Sequence, residues 1–188
     1  MKLNIVKFKS VKSTNDEAIN LIKNKKKYFG VVVSKEQTKG RGSMGKKWIS
    51  EKGNLFISIF FKVNLEKYKI KDFLLLNVNL VKKILTEYSK NPITIKLPND
   101  LLIDGKKLCG ILQETIEHKN DKYLITGIGI NSLKAIVNKE FKATSIKNNS
   151  DQNINNHLIL KKIIKCYEEV IIDLKNYNLK FIKNKYIN

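Results

Sequence analysis

LLIDGKKLCGILQETI, residues 101–116, holds two strand-favouring runs on either side of Asp104-Gly105. Asp-Gly closes two-residue hairpins well, because both central residues of a type I′ turn need positive φ. Strands joined that tightly run antiparallel, since parallel neighbours need a long crossover. ITIKL, 93–97, precedes the hairpin and stops at Pro98, and YLITGIGI, 123–130, follows it. Further upstream, residues 71–89 carry Phe73, Leu76, Leu80, Ile84 and Leu85 at helical spacing. LFISIFF, 55–61, GVVVS, 30–34, and residues 2–8 read as strands. Thr14 followed by Glu17 is a capping-box signal, with Ala18, Leu21 and Ile22 on a helical face behind it. Downstream, residues 157–175 carry Leu158, Leu160, Ile163, Ile164, Val170 and Ile171 at helical spacing. The order β-α-β-β-α-β-β-β-β-α predicts an α+β fold, a mixed and largely antiparallel sheet with helices packed on it. A single domain over residues 1–188 is expected, without internal repeat or linker.

The formal net charge is +20, and 36 of the 37 basic residues are lysine. The basic residues are spread along the chain, 21 in residues 1–94 and 16 in 95–188. Interleaved aromatics and nucleic-acid-binding modules are missing, so a basic nucleic-acid-binding protein is the weaker reading. MKLNIVKFKSVKS has charges throughout and no apolar core, and no run approaches a membrane span. Cys109 and Cys166 have no metal-type spacing and read as reduced thiols, so a cytoplasmic location is expected. No G-x-G-x-x-G or P-loop pattern opens a helix.

Four segments suggest chemistry. QTKGRGSMGKKW, 37–48, contains the one arginine, Arg41, and the one tryptophan, Trp48. Its glycines at 40, 42 and 45 let the backbone approach an anion, and a guanidinium grips two oxygens where an ammonium cannot. The alternative is a basic surface loop ending in a core tryptophan. IKLPND, 95–100, places Asn99 and Asp100 at a strand end, where a carboxylate beside Lys96 offers an oxygen ligand to Mg²⁺. Ordinary turn chemistry explains it equally well. GKKLCGIL, 105–112, sets Lys106 and Lys107 before a strand that Gly110 interrupts, as where a ligand approaches closely or where a plain hairpin carries exposed lysines. In TGIGIN, 126–131, Gly127 and Gly129 share one strand face. That bare face suits a flat molecule or a packed helix.

Taken together and in order, STN at 13–15, QTKGRGSMGKKW, KLPND at 96–100, KKLCGIL at 106–112, GIGIN at 127–131 and ATS at 143–145 resemble the biotin–protein ligase family. The resemblance spans roughly residues 5 to 175. It implies a fold related to class II aminoacyl-tRNA synthetases. It also implies an ATP-dependent ligase that makes biotinyl-5′-AMP with ATP and Mg²⁺, then transfers biotin to a lysine of the biotin carboxyl carrier protein. By motif, Ser13, Thr14, Asn15 and Gln37 would hold biotin, and Gly40, Arg41, Gly42 and Ser43 would close over the adenylate. Lys107 and Arg41 would act on the carboxylate and α-phosphate, and Gly110, Gly127 and Gly129 would leave room for ligand. Trp48, Lys96, Asn99, Asp100 and Asn131 would serve the nucleotide, with Asp100 also on the metal.

Three departures stand against the family pattern. Ser43 occupies the place of a common second arginine, and Leu97 that of a common tryptophan. Many members of the family carry a small C-terminal β-barrel, and its repressor-type members an N-terminal helix-turn-helix; neither is expected here, hence no DNA partner. A lipoate or octanoate transferase of the same general fold is the close alternative, and a homodimer is an open alternative for assembly.

Overall fold

The computed structural model describes residues 2–136 and 142–187. The chain order is β1 (Ile5–Phe8), α1 (Thr14–Lys25), β2 (Gly30–Ser34), β3 (Leu55–Lys62), α2 (Ile70–Thr86), β4 (Thr94–Lys96), β5 (Asp100–Ile103), β6 (Lys106–His118), β7 (Asp121–Ile130), α3 (Asn156–Asn176) and α4 (Leu179–Tyr186). The strands form one sheet in the order β1-β2-β3-β7-β6-β5-β4. Only β1 and β2 pair in parallel; the other described pairs are antiparallel. The mixed, largely antiparallel sheet expected from the hairpin reading is therefore present. Asp104 and Gly105 turn with φ of 50° and 70°, as the hairpin requires. A second tight turn, Lys119-Asn120 with φ of 52° and 64°, joins β6 to β7. No glycine marks it, and asparagine's tolerance of left-handed backbone is its sequence signal.

Side-chain alternation gives the sheet two different faces. On one, Ile57, Ile59, Ile111 and Ile128 meet Phe73, Leu80 and Val81 of α2 and Ile159, Ile163 and Val170 of α3 in the main core. Each such apolar side chain contributes roughly 1.5–3 kcal/mol on burial. A polar chain crosses this core: Tyr167 Oη donates to Asn77 Oδ1 at 2.7 Å, and Asn77 Nδ2 donates to Gln113 at 2.8 Å and Thr126 at 3.2 Å. Every member has a partner, so the helices are pinned without an orphaned dipole. On the other face α1 packs Ala18, Leu21 and Ile22 onto Val32, Phe60, Tyr123 and Ile125. It covers only part of that face, and the remainder becomes the cleft described below.

Two details differ from the sequence expectation. The N-cap of α1 is Ser13 rather than Thr14, because the Thr14 hydroxyl turns to Gln37 instead. Helix α4 was not expected; Asp173 draws it in, accepting from Lys185 at 2.6 Å and Tyr186 at 2.5 Å. No helix among the described residues is long and apolar enough to cross a membrane.

Both cysteines are free thiols. Burial pushes the Cys109 thiol far above its ordinary pKa, and it pushes half-buried Cys166 up to about 11, aided by Glu169. The thiolate is the reactive form, so both sulfurs are held largely as thiols near neutral pH. Native protein at pH 8 is expected to leave both thiols unmodified by DTNB, with full titration only in denaturant. Prompt reaction of one equivalent in the native state would contradict this.

Candidate active site

The uncovered part of the α1-bearing face is a glycine shelf. Gly110 of β6 pairs with Gly129 of β7, and Gly127 lies two residues along. The expectation of a bare face there needs correction. The indole of Trp48 lies on the shelf: a Cβ on Gly129 would come within 2.4 Å of Trp48 Cε2 and Nε1, and one on Gly110 within 2.7 Å of Cζ3. A Cβ on Gly127 would sit 2.4 Å from Asn15 Oδ1. The glycines leave room for Trp48 and Asn15, and these two side chains form the surface a ligand meets.

One wall of the cleft is polar. Gln37 Oε1 accepts from Thr14 N at 2.7 Å and from Thr14 Oγ1 at 3.0 Å, while Gln37 Nε2 donates to Ser50 at 2.8 Å. Ser58 Oγ lies 2.5 Å from Asn15 Oδ1 and 2.7 Å from Thr14 Oγ1. Asn15 Nδ2 donates to Glu114 Oε2 at 2.6 Å. Such an array of fixed donors and acceptors suits a ligand that both donates and accepts hydrogen bonds. Ser13, Gly42 and Ser43 also line the cleft.

Opposite this wall, Lys107 Nζ lies 2.9 Å from Asp100 Oδ1, both side chains about one-fifth exposed. The same ammonium lies 5.2 Å from the centre of the Trp48 ring. Backbone bonds fix its strand: Lys107 N donates to Lys142 O at 2.8 Å and Thr144 N to Lys107 O at 3.0 Å. This cation, held over an aromatic face and only partly desolvated, is placed to meet an anion.

Arg41 sits differently from expectation. Its Nη1 and Nη2 donate to the two oxygens of Glu114 at 2.8 and 2.7 Å, and Nη2 also donates to Asp16 at 2.8 Å. The Glu114 hydrogen bond, outweighing burial, raises the Arg41 pKa further. Its fork thus closes on protein carboxylates.

Arg41 still lines the cleft, whereas three expected residues stand outside its lining among the described residues. Gly40 is buried beneath Trp48 and Ser50. Lys96 is exposed on the edge strand. Asn131 is buried, its amide donating to Lys107 O at 3.3 Å and accepting from Asn54 at 3.4 Å, so it braces the Lys107 strand. Asn99 lines the cleft, and Leu97 projects into solvent. Asp100 is the expected Mg²⁺ ligand. Its carboxylate is paired with Lys107, and no group of three His, Cys, Asp or Glu able to hold a metal occurs among the described residues. These residues do not form a protein-held metal site, and the chemistry below is assigned to side chains alone.

Sequence reading missed Asp16, Ser50, Ser58 and Glu114. Glu114 shares its strand face with Gly110, four residues earlier, and Ser58 is a lone polar residue inside LFISIFF. Both signals are parity signals, weak until the ligand face is known.

The chain matches the biotin/lipoate A/B protein ligase family over residues 7–131 and belongs to it. It is 32% identical over 185 residues to the bifunctional ligase/repressor BirA of Bacillus spizizenii, covering 92% of this chain and 55% of that protein. This chain thus spans about half the length of its Bacillus relatives. Among solved structures it resembles the biotin protein ligase from Aquifex aeolicus in complex with biotin and ATP, with a TM-score of 0.78 and 30% identity, over 97% of this chain and 76% of that one. The Leishmania major biotin protein ligase in complex with biotinyl-5-AMP shares the fold, with a TM-score of 0.77 at 23% identity over 97% and 79% of the two chains.

Proposed function

We propose that this chain is an ATP-dependent biotin ligase domain. It activates biotin as biotinyl-5′-AMP and passes the biotinyl group to a lysine of a biotin-accepting carrier protein, the biotin carboxyl carrier protein in the first instance. The observation that carries the reading is the cleft itself: a polar wall faces Lys107 across a tryptophan-floored shelf. Biotin has one ring that donates and accepts hydrogen bonds and, at the far end of an apolar chain, one carboxylate. The wall of Thr14, Asn15, Gln37 and Ser58 matches the ring. Trp48 and Leu112 supply apolar surface for the chain.

In the first half-reaction a biotin carboxylate oxygen attacks the α-phosphorus of ATP. The bond to the β-phosphate oxygen breaks, and pyrophosphate leaves. Two anions must meet, so a cation placed in advance lowers the barrier most where charge builds up. Lys107 occupies that place, and Asp100 keeps its ammonium aimed while the cleft is empty. In the second half-reaction the carrier's neutral lysine amine attacks the acyl carbonyl. AMP leaves with the former carboxylate oxygen, and the amine gives up a proton. A cytoplasmic location, where carrier proteins and ATP are available, goes with this reading.

The test mixes the protein with biotin, MgATP and a carrier domain and seeks, by mass spectrometry, one biotinyl group on one carrier lysine. Lipoate and octanoate are offered in parallel. Modification with lipoate or octanoate in preference to biotin would replace the reading by its closest alternative, and no modification with any of them would defeat it.

A further inference from the structure

Arg41 is the chain's one guanidinium, and in the structure it spans three elements. It sits on the glycine loop, reaches the first turn of α1 through Asp16, and forks onto Glu114 of β6. The loop is a self-closed lobe, with Trp48 N donating to Gly40 O at 2.9 Å and Gly42 N to Lys46 O at 2.7 Å. Its tip faces solvent, Met44 being 89% exposed. Beneath it the cleft keeps only about 40 Å³ of free space. A pocket for a small molecule measures roughly 300–1,000 Å³. Space must therefore open before a ligand enters, and the lobe that covers the cleft is the element placed to move.

Glu114 does a second thing. The oxygen that receives Arg41 Nη2 also accepts from Asn15 Nδ2. That bond fixes which way the Asn15 amide points, and so presents its Oδ1 to Ser58. The clasp on the loop and the polar wall of the cleft share one carboxylate.

We propose that Glu114 is a positioning residue that makes loop closure and assembly of the polar wall a single event. It latches the lobe through the Arg41 fork and orients Asn15 with the same oxygen. This inference rests on the biotin reading for the identity of what is retained. It also explains the solitary arginine: an ammonium cannot bond both Glu114 oxygens in one plane while also reaching Asp16.

The test uses Glu114→Gln, close to isosteric, together with Arg41→Lys and the double variant. Amide hydrogen exchange over residues 39–48 is measured without ligand, and biotin dissociation and steady-state kinetics are measured with it. Glu114→Gln is expected to speed loop exchange and biotin release by roughly ten- to a hundredfold, the range set by losing a charge-assisted hydrogen bond. KM for biotin should rise far more than kcat falls, with the melting temperature nearly unchanged. The double variant should be no worse than the worse single one, because both remove the same contact. The swap Arg41→Glu with Glu114→Arg should recover part of the loop protection. Unchanged loop exchange in Glu114→Gln, or full additivity of the two single effects, overturns the latch. If the wild-type protein binds no biotin, the substrate reading falls, and exchange in the unliganded protein still decides the latch.

Discussion

Lys107→Ala is expected to slow biotin-dependent pyrophosphate exchange by about 10²–10³-fold, the usual cost of removing one pre-placed donor from a developing oxyanion. The Lys107 side chain is only 18% exposed, and its ammonium is aimed by Asp100 at 2.9 Å. In that setting a charge acts through less water than at the surface, so its loss is not made up by solvent. Removal also strands Asp100, 20% exposed, in the same cleft, where it repels the incoming carboxylate and phosphates. The double variant Lys107→Ala with Asp100→Asn separates the two effects. It should recover some affinity for ATP but little of the rate. The Lys107 side chain faces the cleft and is not part of the apolar core, so the melting temperature of the single variant should fall by only a few degrees. Exchange within a few-fold of wild type in a folded Lys107→Ala protein would remove Lys107 from the chemistry.

The second large effect is steric. In Gly129→Ala the new methyl would lie 2.4 Å from Trp48 Cε2 and Nε1 and 2.8 Å from Cζ2. The backbone at 129 cannot retreat, since it is paired with Phe56 on one side and Gly110 on the other. The indole must lift instead. Overpacking a fitted site costs roughly 1–3 kcal/mol, so ligand affinity should fall between about fivefold and a hundredfold. Trp48 is the one tryptophan of the chain, which makes its fluorescence a direct report on the shelf. Its emission should shift to the red as the ring gains contact with water. Gly110→Ala, with its nearest ring atom at 2.7 Å, should do the same less strongly. Unaltered emission and affinity in Gly129→Ala would mean that the indole does not rest on the shelf in solution.

Much of the fold was legible because it is encoded locally. Asp104-Gly105 declares its hairpin through two adjacent backbone angles, and the Phe73 to Leu85 spacing declares α2 through a period of 3.6. Helix α4 was not legible. It is eight residues long, rich in lysine, and held by Asp173, Lys185 and Tyr186, whose meeting no local pattern announces.

For the cleft, sequence by itself determined the inventory: a loop with the single arginine and single tryptophan, a strand-borne Lys107 near Asp100, and glycines on one strand face. Those are properties of neighbours in the chain and of strand parity. Only the tertiary structure decided who meets whom. Placing β7 between β3 and β6 sets Ser58 beside Gly127 and Gly110 beside Gly129, and so makes the shelf. Trp48 then fills it, and the Arg41 fork finds Asp16, 25 residues away, and Glu114, 73 residues away. A guanidinium's chemistry says that it will take paired oxygens, whether of a ligand or of a carboxylate. Which oxygens it takes depends on strand order and register, and these are settled by long-range burial of the whole sheet rather than by any residue in the loop.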